Sequence, residues 1–169
     1  SFTIPSDIKY ISDNLVYRDF ITVGILLDKT KIELNDNWIY IQESYVKVGR
    51  IQVFNNWSPF LVSNAETTWL GLEYFCNESD SLWKLKEEEL IALATQELIQ
   101  LGFIEASKNV LDATVIKVPK TYPAYFGAYN KFYKIREFVE PIDNLFLVGR
   151  NGMHKYNNQE HQNYHSFLY

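Results

Sequence analysis

One run constrains this chain more than any other: Asp19-Phe20-Ile21-Thr22-Val23-Gly24-Ile25-Leu26-Leu27 is mostly apolar and β-branched, the pattern of a strand covered on both faces. A strand of that kind needs partners on either side and layers above and below it. The sequence offers them in succession. Trp38 to Ile41 follows an Asn-Asp-Asn turn signal, and Arg50 to Asn55 and Trp69 to Phe75 are separated by a turn at Ser58-Pro59. Alternation at Ile51 and Val53, and at Leu70, Leu72 and Tyr74, marks the latter two as half-buried strands, so an antiparallel meander is expected.

Helical periodicity is clearest from Lys86 to Leu101, where Leu90, Leu93, Ala94, Leu98 and Leu101 recur at three- and four-residue spacing and Gly102 closes the element. Glu87, Glu88 and Glu89 fall in its first turn, where the positive end of the helix dipole stabilises them, so this acidic run reads as a helix start and not a metal site. A short helix capped by Ser6 carries Ile8, Ile11 and Leu15. A strand from Ala113 to Val118 should stop at Pro119, a helix runs from about Tyr129 to Val139, and Asn144 to Gly149 reads as a final buried strand.

The bulk properties narrow the function. With 169 residues the chain is the size of one ordinary domain, and its formal net charge of -5 argues against a nucleic-acid binder. No stretch approaches a membrane span, and the single cysteine, Cys76, cannot form an internal disulfide, so the chain is read as soluble and cytoplasmic. Aromatic residues make up 16%, an excess that fits either a ring-built core or an aromatic wall from Trp38, Trp57, Trp69, Tyr40, Tyr45 and Tyr74. Arg18, Arg50 and Lys120 are candidate anchors for an anionic substrate. His161 and His165 share a helical spacing, but two imidazoles do not make a metal site, and no metal is expected.

The chemistry concentrates in the tail. After the apolar run, Gly149-Arg150-Asn151-Gly152 places an arginine among glycines that let backbone approach a ligand, and a following helix start would favour an anionic one. A glycine-rich turn with no ligand is the plain alternative. Residues 146 to 161, FLVGRNGMHKYNNQEH, resemble the C-terminal flavin motif of the FAD-dependent amine oxidase superfamily, in its protoporphyrinogen oxidase-like and UDP-galactopyranose mutase-like members. Leu15 to Val23, Asp36 to Ile41, Val48 to Pro59, Leu72 to Cys76 and Val118 to Pro123 are similar to consecutive blocks of the same proteins.

The resemblance implies an α+β fold: a mixed, mainly antiparallel sheet with helices on one side, forming a substrate domain over residues 1–143, then a flavin-contacting strand-turn-helix over 144–169. FAD would be held mainly by a Rossmann-type lobe, in cis or in trans, because no Gly-x-Gly-x-x-Gly follows a strand in this chain. Gly149, Arg150 and Gly152 would pass the pyrophosphate, and Asn158, Gln159 and Glu160 would open a helix toward the flavin ring. Lys155 and Tyr156 would face a small-molecule substrate, with Arg50 and Trp57 as further contacts, and His154 would lie on the solvent or substrate side. The implied activity is FAD-dependent oxidation in the parent protein, with the isolated chain inactive and prone to self-association. Alternatives are a redox-gated sugar isomerase, which Asn158 disfavours because that branch carries an acid there, a subunit completed by a separate Rossmann chain, and a non-catalytic carbohydrate- or protein-binding module.

Overall fold

The strand β1 (Tyr17–Leu27) pairs antiparallel with β4 (Thr68–Cys76), while β2 (Trp38–Tyr40) and β3 (Arg50–Val53) continue the sheet beyond β4 and β5 (Val110–Pro123) flanks β1 on the far edge. The computed structural model describes residues 3–28, 30 and 33–158. The helices are α1 (Ser6–Asp13), the single turn α2 (Phe54–Trp57), α3 (Ser81–Lys84), α4 (Glu87–Gln100), α5 (Phe132–Val139) and the turn α6 (Gly149–Gly152). Two compact units result, one formed by residues 19–119 and the other by 1–18 with 120–169.

The larger unit is built on the register of β1 against β4. Val23 faces Leu72 and Ile25 faces Leu70 on one side; Thr22 faces Glu73 and Gly24 faces Gly71 on the other. The period-two alternation therefore sorts the sheet into an apolar face and a mixed face. The apolar face (Ile21, Val23, Ile25, Leu27, Ile51, Val53, Leu70, Leu72) packs against Leu90, Ala94 and Leu98 of α4. Each of the Val, Leu and Ile side chains contributes about 1.5–3 kcal/mol of burial free energy. As expected, α4 ends at Gly102, whose φ of 79° suits the left-handed conformation, and Glu89 reaches back to accept the Lys86 backbone N–H at 2.8 Å.

Several expectations are corrected. The order β2-β3-β4-β1-β5 is not a simple meander, because β4 inserts between β3 and β1. The third strand stops at Val53, where Asn55 takes over the pairing with its side chain: Oδ1 accepts the Trp69 N–H at 3.0 Å and Nδ2 donates to the Thr67 carbonyl at 2.8 Å. Pro119 does not end β5, which is an edge strand and so has a side on which a missing N–H costs nothing. Ser6 is the first residue of α1, and the N-cap position falls to Pro5, which makes no side-chain cap bond. Residues 145–148 do not form a buried strand: among the described residues no strand pairs with them, and Leu145, Phe146 and Val148 are exposed.

One buried polar cluster stitches α4 to the sheet. Glu97, 3% exposed, accepts the Tyr74 hydroxyl at 2.9 Å and the backbone N–H groups of Lys47 and Val48 at 2.6 and 3.2 Å. Burial, reinforced by the neighbouring Glu97 carboxylate, pushes the Tyr74 phenol well above its ordinary value. The fold thus favours the protonated phenol, and that contribution is complete below about pH 10 and is lost as pH rises beyond the value in the unfolded chain. Urea unfolding should show Tyr74→Phe costing about 1–2 kcal/mol at pH 7 and giving a shallower loss of stability above pH 10 than the unaltered chain.

Candidate functional site

Opposite the helix-covered face, the larger unit presents the mixed face. By register, Phe20, Thr22, Gly24, Arg50, Gln52, Trp69, Gly71, Glu73 and Phe75 share it with Trp38 and Tyr40. Glu73 is 1% exposed and accepts from both Arg50 Nε and Gln52 Nε2, so the carboxylate is held by a cation and an amide from the neighbouring strand. The guanidinium in turn lies 4.0 Å from the Trp38 ring centroid and 5.7 and 5.8 Å from those of Tyr40 and Phe75. A guanidinium with three rings and one carboxylate around it is fixed in place. Trp57 packs edge-on against Trp38 with centroids 5.2 Å apart, so the two residues expected here from sequence, Arg50 and Trp57, meet in one aromatic cluster.

Beside this cluster is a groove of about 310 Å³, lined by Thr22, Gly24, Phe54, Leu61, Trp69, Thr114 and Ile116. Gly24 lines it, and Gly71, its partner in register, lies under the Phe54 ring. A Cβ on Gly71 would stand 3.0 Å from the Phe54 ring, and one on Gly24 would stand 3.1 Å from the Thr114 methyl and 3.4 Å from Trp69. The excursion between β3 and β4 therefore lies directly on backbone. The aromatic wall is only partly assembled: Trp38, Tyr40 and Trp69 share this face, whereas Tyr74 points to α4 and Tyr45 is exposed in a turn.

In the smaller unit, the tail is organised around Arg150 and His154. Gly149 takes φ 74° and turns the chain into α6, while Gly152 sits over the Leu147 backbone. Arg150 lies between the rings of Tyr122 and Tyr156, at 4.9 and 4.7 Å, and donates to the Asn157 carbonyl at 3.1 Å. Lys155, Tyr156 and Asn158 are exposed; Gln159, Glu160, His161 and His165 lie outside the described residues. His154 corrects the sequence reading. It is fully buried, at φ 45°, among Tyr17, Tyr125, Tyr129 and Phe132, with Nε2 3.0 Å from the Ala124 carbonyl and Nδ1 without a hydrogen-bond partner among the described residues. It anchors the tail from beneath and does not face solvent. Arg18 is exposed, and the Lys120 ammonium lies 5.6 Å from the Tyr17 ring.

Sequence reasoning missed Glu73, Gln52 and the paired glycines. The signal was present in the strands: Arg50, Gln52 and Glu73 occupy the non-apolar phase of alternating runs, and Gly24 and Gly71 interrupt theirs.

No protein-family model and no curated protein matches the sequence. Among solved structures, the chain is similar to reduced UDP-galactopyranose mutase, with a TM-score of 0.74 and 22% identity over 90% of this chain and 32% of that one. It is also similar to a protein assigned as a protoporphyrinogen oxidase from Exiguobacterium sp. 255-15, with a TM-score of 0.64 and 14% identity over 82% of this chain and 31% of the other. The fold is shared with both, the two kinds of protein that the tail motif resembles, and the chain spans about a third of each. The sheet with its helices is accordingly the α+β architecture expected from sequence.

Removing one partner of the Arg50–Glu73 pair leaves a buried charge uncompensated. Arg50→Met should cost about 3–5 kcal/mol in urea unfolding, and combining it with Glu73→Leu should recover most of that loss. A single-variant cost below about 1 kcal/mol would mean that Glu73 finds other compensation.

Proposed function

We propose that this chain is the substrate-covering part of an FAD-dependent oxidoreductase of the amine oxidase type, whose nucleotide-binding lobe is supplied by another stretch of protein. The observation that carries the reading is the agreement of a flavin-motif tail with a fold shared by a mutase and an oxidase, of each of which the chain spans about a third. In this reading residues 1–143 shape the substrate pocket and 144–169 return to the flavin.

The tail has the features such a role requires. The extended, exposed run at 145–148 offers apolar side chains and strand-like backbone to a sheet outside this chain. Gly149 and Gly152 bring main chain to a ligand without side chains intervening, and the first turn of a helix leaves N–H groups that lack intrahelical acceptors. Arg150, with the Tyr122 and Tyr156 rings 4.9 and 4.7 Å away, keeps a positive charge beside that turn, matching the anionic pyrophosphate of FAD. Asn158, Gln159 and Glu160 follow where the flavin ring would lie, and Lys155 and Tyr156 are exposed for a substrate. Bound FAD would supply the electron or hydride transfer; the protein groups orient the cofactor, orient the substrate and exclude water. Arg50 and Trp57 contribute a rigid cationic and aromatic flank to the pocket on the sheet.

This reading predicts that the chain alone retains almost no FAD, whereas the chain joined to its nucleotide lobe shows stoichiometric flavin absorbance, and that Arg150→Ala in that assembly weakens retention about tenfold, as expected for loss of a charge-assisted phosphate contact. Tight stoichiometric binding by the isolated chain would overturn the division of labour. Sedimentation should further show the isolated chain self-associating, with Phe146→Asp reducing the effect.

A further inference from the structure

We propose that His154 is a positioning residue: it holds the turn at 149–157 in register on residues 120–124, and so fixes where the Arg150 guanidinium stands. The register of the turn follows from contacts within the smaller unit; that Arg150 there meets the pyrophosphate of FAD rests on the functional reading above. The turn is first closed on itself. The Met153 N–H donates to the Gly149 carbonyl at 3.0 Å, the Lys155 N–H to the Arg150 carbonyl at 3.1 Å, and the Arg150 side chain to the Asn157 carbonyl at 3.1 Å. A loop closed in this way moves as one piece, so the contacts that attach it to its surroundings decide where all of its side chains lie.

Three attachments fall on alternate residues of one stretch. Asn151 Nδ2 donates to the Lys120 carbonyl at 2.8 Å, the Arg150 guanidinium lies 4.9 Å from the Tyr122 ring centroid, and His154 Nε2 lies 3.0 Å from the Ala124 carbonyl. A carbonyl only accepts, so Nε2 bears the hydrogen of that bond. The stretch is itself held, because the Ala124 N–H donates to the Val16 carbonyl at 2.9 Å. Backbone strain collects at the two outer attachments: among the described residues, Lys120 at φ 54° and His154 at φ 45° are the non-glycine residues with positive φ. Glycine takes this conformation freely and histidine does not, so His154 is kept in it by its surroundings. Its imidazole is fully buried, with the Tyr17, Tyr129 and Phe132 ring centroids 5.0, 5.4 and 5.4 Å away. A phenyl ring would fill that cage and donate nothing, while a short amide would donate and leave part of the cage empty. An imidazole does both, and of the three attachments it is the one fully out of reach of water.

The test measures amide hydrogen exchange in the full chain and, with FAD as the probe, flavin retention in the chain joined to its nucleotide lobe. His154→Phe keeps a ring in the cage and removes the donor, so exchange at Met153 and Lys155 should quicken about tenfold. His154→Gln, whose amide nitrogen reaches toward the Ala124 carbonyl, should bring exchange back to within about threefold of the unaltered chain. Asn151→Ala removes another tether from an exposed position and should quicken exchange as well, so the register stays testable if thermal transitions show His154→Phe to be unfolded. In the joined protein His154→Phe should weaken FAD retention about tenfold, matching Arg150→Ala, and should add almost nothing in an Arg150→Ala background, because both changes remove the same contact. Losses that multiply in the double variant, exchange that ignores both tether variants, or failure of His154→Gln to restore it would overturn the proposal. The two failures are told apart: flavin retained with independent losses ends the role of His154 and leaves the flavoprotein reading standing, whereas exchange that responds as expected in a joined protein without flavin ends that reading and leaves the register standing.

Discussion

The pairing of β1 with β4 is the constraint from which the larger unit follows. Its register puts Val23 against Leu72 and Ile25 against Leu70 beneath α4, and by the same stroke puts Thr22 against Glu73 and Gly24 against Gly71 on the opposite side. A slip of one residue would carry an ionised carboxylate into the packed layer and bring leucines out. Burying apolar area beneath α4 and placing polar groups on the other face are therefore one event, and the groove inherits its position from the hydrophobic layer behind it.

That arrangement explains why the polar groups can be so deeply buried without weakening the sheet. Glu73 and Glu97 lie on opposite sides of it, and each is met by several donors: an arginine and a glutamine for the first, a tyrosine and two backbone amides for the second. Buried carboxylates with incomplete partners would cost several kcal/mol apiece, whereas with full complements they fix geometry at little net cost. Glu97 ties α4 to β4 and to the turn before β3. Glu73 fixes Arg50 in its ring enclosure, so the cation's position is determined by strand pairing and not by a flexible side chain.

How much of this could be read from sequence depended on the range of the interaction. The helix α4 was legible nearly to the residue because its periodicity, its acidic first turn and Gly102 are all local. The strands were legible as elements, but their order was not, since the insertion of β4 between β3 and β1 depends on pairing across some fifty residues. Residues 145–148 misled for a physical reason: an apolar β-branched run signals a strand, yet it becomes one only when a partner is present, and the described residues hold none. His154 misled in the opposite direction, a polar residue in a polar motif that packs beneath four rings because its Nε2 finds the Ala124 carbonyl. In the site, Arg50 and Trp57 were visible as residue types, whereas the partnering of Glu73 and the pairing of Gly24 with Gly71 emerge only once strands are placed side by side.

Where the bottom of a recess is main chain, its depth is set by hydrogen-bonded strands that can hardly change without unfolding the unit. Gly24 places part of this recess under that rule, while its partner Gly71 is covered by the Phe54 ring. Variation in the shape of the recess must then come from above, from the short segment carrying Phe54 and Leu61 and from Ile116, so a few side chains can reshape it while the strand pairing beneath stays the same.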